Sequence, residues 1–287
     1  MQALFGQLLI GLINGAFYAM LSLGLAVIFG LLNIINFTHG AQYMMGAFVA
    51  WFLLNKAGIG YWWSLLLAPI VIGALGVVIE RTMLSRLYKL DHLYGLLLTF
   101  GLALIFQGLF RNEFGSSGLP YQIPSQLTGA MNLGFMFLPI YRGWVILVLV
   151  IVCLSTWYVI ERTKLGSYLR AATENPALVQ AFGINVPRMI TLTFGFGVGL
   201  AALAGVMAAP IYSVSPLMGA DLIIVVFAVV VIGGMGSIMG SIVTGFILGL
   251  VEGLTKVFYP EASNTVIFIV MAIVLMIKPA GLFGAQR

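Results

Sequence analysis

A chain of 287 residues that is 62% hydrophobic and only 7% charged has too few charges to coat a water-facing surface, for which a soluble domain uses about 25%. The net charge of +5 comes from 13 Lys and Arg spread along the chain beside apolar runs, a pattern of membrane orientation that leaves no place for a nucleic-acid partner. The single cysteine, Cys153, lies inside an apolar run and excludes disulfides and thiolate metal sites, and no metal or cofactor is expected.

The fold class expected is therefore all-α, a polytopic integral membrane protein forming one transmembrane domain over residues 1–287. A hydrocarbon core of roughly 30 Å takes about 20 helical residues. On that scale the apolar runs predict about nine crossings, with eight to ten as the range. In chain order they fall at 4–31, 41–54, 62–79, 93–110, 144–160, 189–209, 222–232, 241–258 and 264–277. The first, "MQALFGQLLIGLING", lacks the basic n-region of a cleaved signal peptide and reads as a retained span.

Two of the nine are short. The run 41–54 comes after the polar break "NIINFTHG", and 222–232 runs into "GGMGSIMG". Both read as discontinuous or re-entrant segments, where irregular backbone is tolerated because protein or a cavity surrounds it. Both breaks also lie between two apolar helices that start from the same side, so a parallel internal repeat is one reading and coincidence the other. At the first break Asn33, Asn36, Thr38, His39 and Gln42 cluster. They offer hydrogen bonds along a path for a zwitterionic solute without a trapping charge. They equally serve to cap the next helix and to satisfy freed carbonyls, and the two roles can coexist.

The pentapeptide "VIERT" occurs at 78–82 and again at 159–163, each time ending an apolar run. Two crossings separate the copies, so they lie on one side of the membrane. Arg81, Arg86, Lys89, Arg162, Lys164, Arg170, Arg188, Lys278 and Arg287 share that side, whereas Lys56, Arg111, Arg142 and Lys256 fall on the other. The positive-inside rule makes the first side cytoplasmic, with the N-terminus outside and the C-terminus inside. Glu80 and Glu161 are expected at the water boundary, their neighbouring arginines neutralising them or meeting lipid phosphate. Between the copies, residues 111–142 form the largest external segment.

The cytoplasmic connection 161–188 is more structured than a linker. Asn175 before Pro176 is a helix-start signal, and "ALVQAF" continues it with Leu178 and Phe182 on one face. Gly183 fits the left-handed position that ends a helix, and Pro187 is expected to prevent its resumption. Such a helix docks on a protein or rests on lipid head groups, and pattern alone leaves both open. Farther on, Gly195, Gly197 and Gly199, and the pairs Gly236/Gly240, Gly245/Gly249 and Gly249/Gly253, read as helix-packing positions rather than nucleotide loops. Asp221 and Glu252 read as interfacial, with ion coupling as the other reading.

Three segments, "LNIINFTHGAQYMMGAF", "RAATENPALVQAFGINVPR" and "VVVIGGMGSIMGSIVTGFILGLVE", occur in an order that resembles the permease subunits of bacterial high-affinity branched-chain amino acid ABC importers. The resemblance implies a second permease, a different chain; two cytoplasmic ATPase subunits; and a periplasmic solute-binding protein, all at the bacterial inner membrane. It implies that 161–188 is a coupling loop in which Glu174, Asn175, Pro176, Leu178, Phe182, Gly183 and Pro187 engage an ATPase subunit. Gly183, Ile184 and Pro187 lie closer together here than in the coupling loops of ABC importers generally.

The expected function is thus an importer permease for branched-chain amino acids or related small amino acids and amides. The alternative is an ion-coupled secondary transporter of a small polar solute, which would need an intramembrane carboxylate or unwound carbonyls. Enzyme activity is not expected: no paired carboxylates, His cluster or nucleophile–base pair occurs, and without G-x-x-x-x-G-K-[ST] any ATP hydrolysis belongs to separate subunits.

Overall fold

A computed structural model describes residues 2–284 except 33, 89 and 135, so the candidate path residue Asn33 and the cations Lys89 and Arg287 lie outside the described residues. In hydrocarbon an unpaired backbone amide finds no water, so long apolar runs close their hydrogen bonds locally as helices. The helices are α1 (Gln2–Leu32), α2 (His39–Ala57), α3 (Tyr61–Thr82), α4 (His92–Phe114), α5 (Ile140–Arg162), α6 (Lys164–Glu174), α7 (Pro176–Ala181), α8 (Val186–Ala208), α9 (Ala220–Gly233), α10 (Ile238–Phe258) and α11 (Val266–Ile277). A small antiparallel hairpin, β1 (Ala130–Asn132) and β2 (Phe137–Pro139), pairs Ala130 with Pro139 before α5.

The protein is an all-α polytopic membrane protein. Each of the nine expected runs falls on its own helix: α1 to α5 and α8 to α11. Six of these (α1, α3, α4, α5, α8 and α10) are long and apolar enough to cross a membrane. Of the other three, α9 has 14 residues and α11 has 12, while α2 reaches 19 but carries His39, Gln42, Asn55 and Lys56. Both expected breaks are non-helical. Residues 34–36 precede α2, and Gly234 and Gly236, at φ 99° and 96°, turn the chain from α9 into α10. Gly236 is therefore a turn residue rather than the packing position its spacing from Gly240 suggests.

The chain divides into two compact units, 1–23 with 122–154 and 224–287, and 24–121 with 155–223. In the second unit α8 packs along both α2 and α3. Lipid tails are as apolar as leucine, so association here depends on close van der Waals fit rather than on expelling water. Small residues supply that fit. A Cβ on Gly46 would lie 2.3 Å from the carbonyl oxygen of Ala202, and one on Gly205 would lie 2.0 Å from that of Tyr43. Tyr43, Met44, Phe194 and Met207 are fully buried around this crossing.

In the first unit α10 meets the leading part of α1 in the same way, Gly249 facing the Gly11 carbonyl and Gly245 facing Ala19. The segment after α11 returns to the end of α9: Leu282 N–H donates to the Ile232 carbonyl at 2.8 Å and Phe283 N–H to that of Gly233 at 3.1 Å.

The α2–α8 crossing gives a direct test. Gly205→Leu forces these backbones apart, and overpacking of this kind costs about 1–3 kcal/mol. Its detergent-solubilised protein should therefore lose monodispersity at a lower temperature than wild type. Gly101→Ala, where an added Cβ meets nothing within 4 Å, should match wild type in the same fluorescence-detected size-exclusion measurement.

Candidate functional site

The candidate coupling segment begins where α5 ends. The chain doubles back so tightly that a Cβ at position 166 would sit 1.6 Å from the Ile160 carbonyl oxygen; only Gly166 allows the α5–α6 corner. Arg170 Nη1 meets Glu161 Oε2 at 3.2 Å, with both side chains more than a third exposed. A pair that wet contributes at most about 1 kcal/mol. Arg162 does not neutralise Glu161; its guanidinium lies over the Trp157 ring, 5.8 Å from the centroid.

Next, Asn175 Oδ1 accepts the Leu178 N–H at 3.0 Å, and Pro176 occupies the first turn of α7. Asn is a strong N-cap because its side-chain oxygen satisfies an amide that has no intrahelical partner. Gly183, at φ 82°, turns the chain out of this helix. Within α7, Val179 is buried, whereas Leu178 is 55% and the adjoining Phe182 77% exposed. A short capped helix thus holds two large apolar side chains outward.

Pro187, expected to keep the coupling helix from resuming, lies at the start of a new helix. Asn185 Oδ1 accepts the Arg188 N–H at 3.1 Å, and Pro187 lies in the first turn of α8, where a missing N–H costs nothing. The Asn-Val-Pro order carries the start signal already present at Asn175-Pro176.

The first "VIERT" has the opposite environment to the second. Glu80, expected at the water boundary, is only 2% exposed. Its Oε1 accepts the Tyr88 hydroxyl at 2.6 Å and its Oε2 accepts the Thr191 hydroxyl, also at 2.6 Å. Burial, followed by the hydrogen bond to Glu80 and the charge of that carboxylate, holds the Tyr88 phenol well above its ordinary range, so it stays a donor. Neither partner is visible from sequence spacing: Thr191 lies on another helix, and Tyr88 is reached only through the single 3-10 turn Leu84–Arg86.

At the first break, Asn36 Oδ1 accepts the Thr38 N–H at 3.1 Å and its Nδ2 donates to Gln42 Oε1 at 3.0 Å. Thr99 of α4, which no sequence motif marks, accepts the Phe37 N–H at 3.1 Å, and its backbone carbonyl accepts the Thr38 hydroxyl at 2.9 Å. Thr38 has no side-chain bond into α2, so it is tied to α4 rather than capping the helix it precedes. Asn36, Thr38, His39 and Gln42 are all buried, and among the described residues Gln42 Nε2 has no hydrogen-bond partner. A cavity of about 90 Å³ adjoins the break, with Ile34, Ile35, Leu84, Leu87, Tyr88 and Asp91 in its wall.

Glu252, expected near an interface, is 4% exposed. It pairs with Lys256 one turn on, accepts the Tyr18 hydroxyl at 2.7 Å and lies 3.4 Å from Asn14 Nδ2. The i,i+4 spacing of Glu252 and Lys256 is the signal that could have revealed the pair. Asp221 is exposed in the first turn of α9.

Comparison with known proteins identifies the family. Residues 7–275 match the family described as branched-chain amino acid transport system / permease component. The high-affinity branched-chain amino acid transport system permease protein LivH of Escherichia coli is 29% identical, over 97% of this chain and 94% of its own. BraD of Pseudomonas aeruginosa, of the same description, is 30% identical over 97% and 95%. LivM of Salmonella typhimurium, also such a permease protein, is 28% identical over 94% of this chain and 68% of its own. No solved structure matches.

The cap on α7 yields its own prediction. Asn175→Ala removes the acceptor for the Leu178 N–H at a cost of about 1 kcal/mol, so hydrogen exchange across residues 178–181 should quicken several-fold. Asn175→Asp keeps the oxygen and should retain protection.

Proposed function

Because the chain belongs to the branched-chain amino acid transport permease family, we propose that it is the membrane-spanning subunit of an ATP-driven ABC importer carrying branched-chain amino acids or related small amino acids and amides into the cytoplasm. Family members are transport permeases, and the chain is not an enzyme; ATP is hydrolysed on separate subunits. The observation that carries the mechanism is α7. A rigid, doubly punctuated helix presenting Leu178 and Phe182 to solvent offers an apolar knob for a groove on a cytoplasmic ATPase.

The partners accord with this assignment. Two ATPases and a periplasmic solute-binding protein complete the importer. The second permease is a different chain, a reading supported by LivH and LivM bearing separate names under the same transport description. The protein lies in the bacterial inner membrane as one transmembrane domain over 1–287, with about nine helices entering or crossing the bilayer. The positive-inside pattern supports an N-terminus in the periplasm and a C-terminus in the cytoplasm. Within 161–188, Glu174, Asn175 and Pro176 start the coupling helix, Leu178 and Phe182 form its contact, and Gly183 and Pro187 shape its exit. Asn36, Thr38, His39 and Gln42, with Asn33, border the solute path. Among the described residues the Gln42 amide has hydrogen-bonding capacity left for a passing solute.

The secondary-transporter reading gains nothing from Glu252. That carboxylate is already occupied by Lys256 and Tyr18, as Glu80 is by the hydroxyls of Tyr88 and Thr191.

In the reconstituted complex, uptake should require ATP and the partner subunits; uptake by the lone chain under an ion gradient would overturn the assignment. Leu178→Asp with Phe182→Asp places charge in the docked contact, at roughly 2 kcal/mol or more, so co-purifying ATPase should fall at least about tenfold while membrane insertion persists. For sidedness, Gln180→Cys should react with impermeant maleimide in inverted vesicles but not in intact cells. The buried Cys153 contributes little background.

A further inference from the structure

Glu80 is a buried carboxylate that belongs neither to the coupling segment nor to the polar break. Among the described residues it makes no ion pair; both its oxygens are instead held by hydroxyls. A buried carboxylate is costly unless well bonded, so this arrangement fixes three elements relative to one another. Thr191 stands in α8, close behind the candidate coupling segment, and its hydroxyl also lies 3.0 Å from the Pro187 carbonyl, at the exit of that segment. Glu80 lies in the last turn of α3. Tyr88 belongs to the turn after α3 and lines the cavity that Ile34 and Ile35 also line, at the start of the break that leads to Asn36 and Gln42.

We infer that Glu80 is a positioning residue of the transport cycle: its carboxylate, gripped by Thr191 and Tyr88, carries displacement of the coupling segment from the start of α8 into the polar break before α2. The inference rests on the coupling role proposed for 174–187. Three features make the route physical. Hydroxyl–carboxylate bonds at 2.6 Å are short and charge-assisted, so the ends move together. The α3–α8 contact beside Glu80 is close, with a Cβ on Gly195 falling 2.5 Å from Val77, so α8 has little room to slide past α3. The cavity beside Tyr88 gives the turn after α3 room to shift toward Ile34 and Ile35.

The measurement is solute transported per ATP hydrolysed, in proteoliposomes holding the whole importer. Thr191→Val swaps a hydroxyl for a methyl of similar size, and Tyr88→Phe removes the other donor. Each should lower the ratio by about two- to thirty-fold, the span expected for residues that carry coupling. Thr191→Ser, which keeps the hydroxyl, should stay near wild type. Ratios equal to wild type in Thr191→Val and Tyr88→Phe would overturn the inference. So would loss of co-purifying ATPase in both variants, because Glu80 would then hold the fold and not the cycle. Failure of the coupling reading itself is distinguishable: it would leave ATPase co-purification intact in Leu178→Asp with Phe182→Asp, whatever the Glu80 partner variants do.

Discussion

A solvent that can neither donate nor accept a hydrogen bond is the constraint on which this structure depends. It makes the long apolar runs helical, since only a helix satisfies its own backbone. It also withdraws the usual driving force for bringing helices together and leaves contact quality to do that job. Hence Gly46, Gly205, Gly245 and Gly249, where neighbouring backbones approach within the space a side chain would fill. The same solvent decides the polar inventory. Asn36, Thr38, Thr99 and Gln42 bond to one another, and Glu252 closes on Lys256 and Tyr18.

The repeated pentapeptide shows how context assigns work to identical residues. Both copies end a helix. Glu161 faces water beside Arg170, in a pair whose contribution is small, while Glu80 is enclosed and bound by two hydroxyls. The difference lies in the chain beyond each copy. After the second, Gly166 lets the backbone double back along its own helix end and keeps Glu161 at the surface. After the first, a single 3-10 turn swings Tyr88 over the carboxylate while α8 brings Thr191 from the other side.

The fold class was legible in the sequence because composition and run length bear directly on the solvent. The nine apolar runs correspond to nine helices, although only six meet the length and hydropathy of an unaided crossing. Local signals were equally readable: Asn175, Pro176 and Gly183 have the cap, first-turn and left-handed roles that their chemistry requires. Pro187 misleads because a proline blocks the helix before it and favours the helix after it, and the deciding residue is Asn185. Glu80 with Thr191, and Thr38 with Thr99, were out of reach. Each pairing joins residues distant in the chain, and neither residue type prefers its partner strongly enough to announce it.

The return of the chain to α9 bears on the order of assembly. The last carbonyls of any helix lack partners within it. At Ile232 and Gly233 they are answered by the amides of Leu282 and Phe283, synthesised only after two more helices. These two bonds can form only after α10 and α11 have been made, because Leu282 and Phe283 follow both in the chain. The Gly234 turn, too crowded by Gly281 and Gly284 to admit a side chain, is where that clasp shuts.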